Sequence, residues 1–201
     1  MPNTDADWFR SSGLKLDERG YVTVDGYGRT NLDGVWALGD ITPGHALAHR
    51  AFEQGITIAE KIAGADPKPV LDDTVPQVVF SFPEAASVGL TLDQAKARED
   101  VVEPKETAYP MLSNARMLMS GEGGSMTVVS GAFANNPDMQ VVLGVHIVSP
   151  IASDLIAEAE QLVGNRVPLA DAARLIHPHP TFSETLGEAL LKADGRPLHT
   201  R

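Results

Sequence analysis

Near its carboxyl end the chain contains the stretch His177-Pro178-His179-Pro180-Thr181-Phe182-Ser183-Glu184. Thr181 has the character of a helix N-cap and Glu184 follows three residues later, a capping-box spacing that predicts a helix beginning near Phe182. The prolines on both sides of His179 favour extended backbone and restrict its ring. A nearby carboxylate can fix the tautomer of an imidazole and stabilise its charged form. His179 and Glu184 are therefore candidate proton-transfer residues.

Two other interpretations of the same residues stay open. Glu184 can serve only as a helix cap, with both histidines exposed in a proline-rich turn. The His-x-His spacing of His177 and His179 is also compatible with metal ligands. A zinc site needs three or four ligands, however, and the sequence has no cysteine and no second histidine pair nearby. We therefore expect no metal at this stretch.

The composition excludes several classes of protein. A net charge of -11 argues against general binding to nucleic acid or to anionic membranes, which requires a basic face. With no cysteine, the chain has no thiol that can act as a nucleophile or redox centre. We see neither a basic and apolar leader nor an apolar run of membrane-spanning length, so we expect a cytoplasmic location.

The 201 residues divide into two predicted domains, 1–75 and 76–201, at a linker rich in Pro and Asp. In the first domain the patterns predict a short hairpin, a buried strand and a long helix, at 14–25, 35–38 and 46–63. In the second they predict antiparallel strands flanked by helices, with strands at 77–81, 101–109, 124–130 and 141–148 and helices at 92–98, 151–163 and 169–175. The predicted fold class is α/β followed by α+β.

Two positions in the first domain are candidate cofactor contacts. Asp40 follows the predicted strand, where open α/β sheets collect ligands, and its carboxylate can accept hydrogen bonds from polyol hydroxyls. Gly39-Asp40 is also common turn chemistry, so both roles remain open from the residues alone. Ala48 lies near the start of the long helix, where free N–H groups and the positive dipole end suit an electron-rich ring edge.

Almost the whole chain resembles the last two fifths of the pyridine nucleotide-disulfide oxidoreductases, and residues 177–184 are similar to their carboxyl-terminal signature. In that family the His of His-Pro-Thr is the acid/base partner of a redox-active dithiol, and a Glu five positions later orients it. The resemblance implies these roles for His179 and Glu184. With the additional histidine at position 177, the signature resembles that of the branch of the family that oxidises dihydrolipoamide.

The resemblance also implies cofactors and partners. Asp40 would bond the ribityl chain of FAD, and the main chain of Ala48 would lie at the flavin pyrimidine edge. Residues 1–75 would be the C-terminal piece of an FAD-binding domain, and residues 76–201 the interface domain of a homodimer. The implied reaction is oxidation of dihydrolipoamide by NAD, with a lipoyl-bearing acyltransferase of a 2-oxo acid dehydrogenase complex as an implied partner.

The same resemblance predicts that the sequence begins in mid-protein. The chain lacks the cysteine pair and the Gly-x-Gly-x-x-Gly loops for FAD and NAD, so we expect this polypeptide alone to be inactive. Two alternatives remain. One is a related thiol-disulfide reductase of the glutathione or mycothione reductase type, and the other is a non-catalytic dimerisation module that lacks the redox half.

Overall fold

A computed structural model describes residues 2–200 of the chain. They form two compact units, one ending at Val75 and the other beginning at Pro76. Among these residues, no helix combines the length and the apolar composition that crossing a membrane requires.

The first unit consists mostly of turns and irregular segments. Its α-helices are α1 (Asp7–Arg10) and α2 (Ala48–Ile62), and single 3₁₀ turns cover Gly39–Ile41 and Asp72–Thr74. The predicted hairpin is present as an antiparallel bridge between Leu16 and Val22. The run predicted as a strand at 35–38 pairs only through the bridge of Trp36 with Arg29. Among the described residues, no extended strand lies beside this run, so no ladder of hydrogen bonds continues from the bridge.

The helix α2 shows its apolar side to solvent within this unit. The residues that it buries are Arg50, Thr57 and Ile58. The large apolar side chains that the sequence pattern groups on one side are exposed: Phe52, Ile56 and Ile62. The small buried cluster of the unit consists of Phe9, Val22 and Ala37.

Arg50 fastens α2 to the linker. Its side chain is 6% exposed, and its Nε lies 2.7 Å from Oδ1 of Asp72. Nη2 of Arg50 also donates to the carbonyl of Pro43 at 2.6 Å. Gly44 has φ +114°, and a Cβ at this position would overlap the guanidinium, so only glycine allows the chain to pass here.

The second unit is built on an antiparallel sheet, which confirms the predicted architecture. Its strands are β1 (Gln77–Val79), β2 (Glu84–Gly89), β3 (Val101–Pro110), β4 (Ser125–Phe133) and β5 (Asn136–Ser149). They form one five-stranded sheet in the order β1-β2-β5-β4-β3. The sequence patterns missed β2, which contains Ala85, Ala86 and Ser87. Such small side chains carry weak strand preference, and pairing with β5 holds them extended.

The helices of this unit are α3 (Leu92–Ala97), α4 (Ala115–Ser120), α5 (Ala152–Gly164), α6 (Leu169–Ala172) and α7 (Glu184–Ala193). A 3₁₀ turn at Met111–Ser113 precedes α4. The capping box of Thr91 and Gln94 at the start of α3 is confirmed.

The helix α7 begins two residues later than the sequence predicts. The Thr181 hydroxyl donates to the carbonyl of Pro178 at 2.7 Å, and no side-chain bond caps the helix at Ser183. The other half of the predicted capping box is present, because the Glu184 carboxylate accepts from the Thr181 N–H. Local competition for the Thr181 hydroxyl thus explains the later start.

Each face of the sheet carries a buried cluster. Adjacent residues of β4 belong to different clusters. Val128 lies in the larger cluster, which includes residues of α5 and α7, and Val129 lies in the smaller cluster, which includes a residue of α3. Val142 and Val145 both lie in the larger cluster although they are three residues apart. The pairing of β4 with β5 skips Leu143, and this bulge reverses the alternation.

Candidate functional site

His179 and Glu184 are in direct contact. His179 lies in the loop between α6 and α7, and Glu184 is the first residue of α7. Nδ1 of His179 and Oε1 of Glu184 are 2.9 Å apart. A carboxylate only accepts, so Nδ1–H donates and Nε2 is the acceptor nitrogen of the neutral ring. The geometry suits proton transfer at Nε2, and the catalytic role of the pair stays a prediction.

Both oxygens of Glu184 are engaged. Oε2 accepts from the Thr181 N–H at 2.7 Å, so one carboxylate both holds the loop before α7 and orients the imidazole. Burial raises the pKa of Glu184, but the bonds from Thr181 and His179 outweigh it and lower the pKa from its ordinary value. The carboxylate therefore stays ionised near neutral pH and can stabilise an imidazolium. The His179 side chain is 71% exposed and the Glu184 side chain 20% exposed.

The helix α4 supports the loop that carries His179. Asn114 is 5% exposed, and its Nδ2 donates to the carbonyl of Thr181 at 3.2 Å. The Oδ1 of the same residue accepts from the first N–H groups of α4, so this N-cap ties the helix to the loop. Arg116 of α4 places its guanidinium 5.4 Å from the centre of the Phe182 ring.

A second His–Glu pair lies beside the first, and the sequence patterns missed it. Nδ1 of His199 is 2.7 Å from Oε1 of Glu188, and the His199 N–H donates to Oε2 at 3.3 Å. Both pairs line one pocket of about 160 Å³, together with residues of the turn before α4 and of α4 itself. The available signal was the spacing on α7, because Glu188 follows Glu184 by four residues and shares its face.

Tyr109 of β3 lies close to both carboxylates of α7. Its side chain is fully buried, and burial raises its pKa to about 12, helped by the negative charges of Glu188 and Glu184. The phenol is therefore neutral at physiological pH. It is excluded as a proton carrier for chemistry near neutral pH.

The predicted cofactor contacts lie in the first unit. Asp40 is exposed in the 3₁₀ turn, where Gly39 adopts φ +71° and its N–H donates to Oε1 of Gln54 in α2 at 2.9 Å. Ala48 is the exposed first residue of α2, and the N-cap Leu47 makes no side-chain cap bond. An exposed carboxylate and a helix start without a side-chain cap fit the polyol chain and ring edge of a flavin. Both contacts stay predictions.

A pocket of the first unit lies elsewhere. It has a volume of about 320 Å³ and is formed by α2, the turn at 24–28 and the linker at 70–72. Neither Asp40 nor Ala48 lines it. Throughout residues 2–200, no group of three or more His, Asp or Glu residues is arranged to hold a metal ion.

Family models match both units of the chain. The model described as pyridine nucleotide-disulphide oxidoreductase, dimerisation domain, matches residues 75–190, and the model described as pyridine nucleotide-disulphide oxidoreductase matches residues 1–55.

Curated relatives and solved structures agree with these matches. The dihydrolipoyl dehydrogenase of Cupriavidus necator is 40% identical over 99% of the chain and 40% of its own length. That of Geobacillus stearothermophilus is 39% identical over 98% of the chain and 41% of its own length. The crystal structure of LpdA from Mycobacterium tuberculosis superimposes with a TM-score of 0.84 at 30% identity, over 96% of the chain and 41% of LpdA. The chain thus spans about two fifths of the length of the proteins that it matches.

Proposed function

Because the chain belongs to the pyridine nucleotide-disulphide oxidoreductase family, we propose that it supplies the acid/base dyad and the dimer interface for the oxidation of dihydrolipoamide by NAD. The observation that carries the proposal is the 2.9 Å contact between His179 and Glu184. Several relatives at 36–40% identity over nearly the whole chain are named dihydrolipoyl dehydrogenases, which supports this choice of substrate.

Thiol chemistry explains what the dyad would do. A thiol attacks a disulfide only as the thiolate, which is scarce near neutral pH. Nε2 of His179 would accept the proton of the first substrate thiol, and Glu184 would hold the imidazolium that results. The thiolate then attacks one sulfur of a disulfide, whose S–S bond breaks as a mixed disulfide forms and the other sulfur leaves as a thiolate. The second substrate thiol gives its proton to that thiolate and attacks the mixed disulfide, which closes the lipoamide ring and releases the attacked sulfur. The attacked disulfide is thereby reduced by two electrons to one thiol and one thiolate, while His179 holds the other proton.

The disulfide that receives these electrons must lie outside this chain, which has no cysteine. In the proposal it belongs to the same active site, together with FAD and NAD, which supply the onward electron transfer when bound. Asp40 would accept hydrogen bonds from the ribityl hydroxyls of FAD. The N–H groups at Ala48 would face the pyrimidine edge of the flavin.

We assign residues 1–75 to the end of an FAD-binding domain and residues 76–201 to a domain that forms a homodimer. The match of 75–190 to a dimerisation model supports the second assignment. Large apolar side chains of this unit are also exposed, as expected for a surface that a second copy covers: Phe80, Phe82, Leu118, Met119 and Ile176. Leu118 lines the pocket that also contains His179, so the dyad would lie at the two-fold interface.

The proposal places the protein in the cytoplasm, where a lipoyl-bearing acyltransferase of a 2-oxo acid dehydrogenase complex would be its partner. A chain with net charge -11 would meet a basic surface on such a partner.

A chimeric enzyme tests the substrate and the dyad together. The chain replaces the matched two fifths of the Cupriavidus necator enzyme, and flavin absorbance and NADH formation from dihydrolipoamide are measured. We expect bound flavin and turnover. Replacing His179 by Gln should lower turnover about 10²- to 10⁴-fold and leave flavin binding intact, because this side chain serves the thiol. His146→Gln, at a histidine in β5 that bonds the carbonyl of Leu90, is the control and should retain activity.

The outcomes separate the alternatives. A chimera that binds flavin but ignores dihydrolipoamide and reduces glutathione or mycothione disulfide would transfer the proposal to those reductases. Near-normal turnover of the His179→Gln chimera would refute the role of the dyad. For the dimer, sedimentation of the 201-residue chain should show a mass that rises with concentration, and a strict monomer would contradict the interface.

A further inference from the structure

His177 is the less exposed member of the His-x-His pair. Its side chain is 10% exposed, whereas that of His179 is 71% exposed. Nε2 of His177 lies 2.7 Å from Oε1 of Glu158 in α5. The two histidines thus contact different carboxylates on different helices, and the function proposed for His179 leaves His177 unexplained.

The ring of His177 also lies against α7, at a point where only glycine fits. A Cβ built at Gly187 would lie 2.6 Å from Nδ1 of His177 and 2.9 Å from its Cε1, closer than real Cβ contacts. Glycine is unfavourable in the interior of a helix, so its presence here needs a reason. Room for the His177 ring supplies that reason.

The charges around His177 hold the ring in one orientation. The hydrogen bond to Glu158 raises its pKa from the ordinary value, against the effect of burial, and a backbone hydrogen bond to Leu175 and the charge of Glu184 act in the same direction. The protonated ring has an N–H on both nitrogens for these partners. The loop is therefore fixed at residue 177 by contacts with α5 and with α7.

The other end of this loop segment is fixed at Thr181. Its N–H bonds Glu184 and its carbonyl accepts from Asn114. His179 lies midway, two residues from each anchor. Because its own side chain is largely exposed, its position depends on the two anchors and on the single bond to Glu184.

We infer that His177 is a positioning residue for the dyad: its ring, bonded to Glu158 and seated on Gly187, fixes the segment that presents His179 to Glu184. The catalytic meaning of this arrangement rests on the proposed function. The arrangement itself can be tested without flavin, NAD or a dithiol.

The test uses long-range ¹H–¹⁵N spectra of the histidine rings in the 201-residue chain at alkaline pH. In the unmodified chain His179 should be mainly the Nδ1–H tautomer, because Nδ1 donates to Glu184. In His177→Ala the population of that tautomer should fall at least about twofold, because the loop is released at one end. The Thr181 amide signal should move as well, since its N–H bonds the same carboxylate.

Gly187→Ala should act in the same direction, because the new Cβ displaces the His177 ring. The matched control is Gly55→Ala in α2, where a Cβ would meet only Leu38 Cδ2 at 4.0 Å. That control should leave the His179 signals unchanged. In the double variant His177→Ala/Gly187→Ala the effect should not exceed that of His177→Ala alone, since both changes remove one contact.

Unchanged His179 and Thr181 signals in His177→Ala would overturn the inference, and so would additive effects in the double variant. If His177→Ala does not fold, Glu158→Gln replaces it, because it keeps the ring and its contact with Gly187. The His179 tautomer must then still change, and a constant tautomer is the overturning result. A dihydrolipoamide-inactive chimera with intact tautomer effects would refute the proposed substrate and leave the positioning role in place.

Discussion

The phenol of Tyr109 gives the sharpest prediction about stability. Its side chain is fully buried, and within residues 2–200 its hydroxyl has no hydrogen-bond partner. The carboxylates of Glu188 and Glu184 are close enough to raise its pKa, after burial itself, to about 12. The neutral hydroxyl is therefore a desolvated polar group whose removal should help the fold, in contrast to most core substitutions.

The magnitude follows from two opposing terms for Tyr109→Phe. A buried polar group without a partner costs about 1–3 kcal/mol, which the substitution recovers. The lost oxygen leaves a gap of about 10–15 Å³. At about 24 cal/mol per Å³, that gap costs about 0.3 kcal/mol. We expect the free energy of unfolding to rise by about 1 kcal/mol.

Native-state hydrogen exchange of the β4 amides measures this effect in the unit that contains Tyr109. Exchange that requires global opening should slow about fivefold. The matched control is Thr185→Val, because Thr185 is equally buried but its hydroxyl donates to the carbonyl of Phe182 at 2.6 Å. That variant should lose about 1 kcal/mol. Faster exchange in Tyr109→Phe, by as much as in the control, would mean that the hydroxyl is bonded and would refute the reasoning.

Two further predictions concern His177 and the glycines. The folded state raises the pKa of His177, so this histidine stabilises the fold fully below pH 6.5, the ordinary pKa of an imidazole, and loses that effect as the pH rises through its pKa in the folded state. Urea titrations should show the free energy of unfolding decline over this pH range in the unmodified chain and not in Glu158→Gln. Gly89 has φ +80° and a Cβ there would overlap the carbonyl of Leu143, so Gly89→Ala should cost more than about 3 kcal/mol. Gly121 has φ +70°, and a Cβ added there would have no neighbouring atom within 4 Å, so Gly121→Ala should cost only about 1–2 kcal/mol. If chemical denaturation shows equal losses of stability in Gly89→Ala and Gly121→Ala, the overlap with the Leu143 carbonyl is contradicted.

The contact between His179 and Glu184 could be anticipated because it is local. The partners are five positions apart in the sequence, and the start of a helix fixes most of the geometry between them. The helix start itself was misplaced, because the Thr181 hydroxyl bonds Pro178 rather than the first turn of α7. A side chain with several acceptors in reach is not resolved by spacing alone.

The remaining contacts depend on tertiary structure. His177 meets Glu158 across 19 positions of sequence, and no local pattern pairs them. The bulge at Leu143 changes which side chains of β5 face the larger cluster, although the sequence of that strand reads as an ordinary apolar run. The apolar side of α2 was predicted from its period, but which way that side faces depends on what surrounds it.

A single face of α7 contacts three histidines of the second unit. Glu184, Gly187 and Glu188 stand at the spacing i, i+3 and i+4, which places them together on the helix surface. The first carboxylate contacts His179, the glycine admits the ring of His177, and the second carboxylate binds the tail at His199. A shift of this helix by one residue would move all three positions by about 100° and break every one of these contacts. The register of α7, which the larger buried cluster fixes through Leu186 and Leu190, therefore sets the position of the dyad together with its supports.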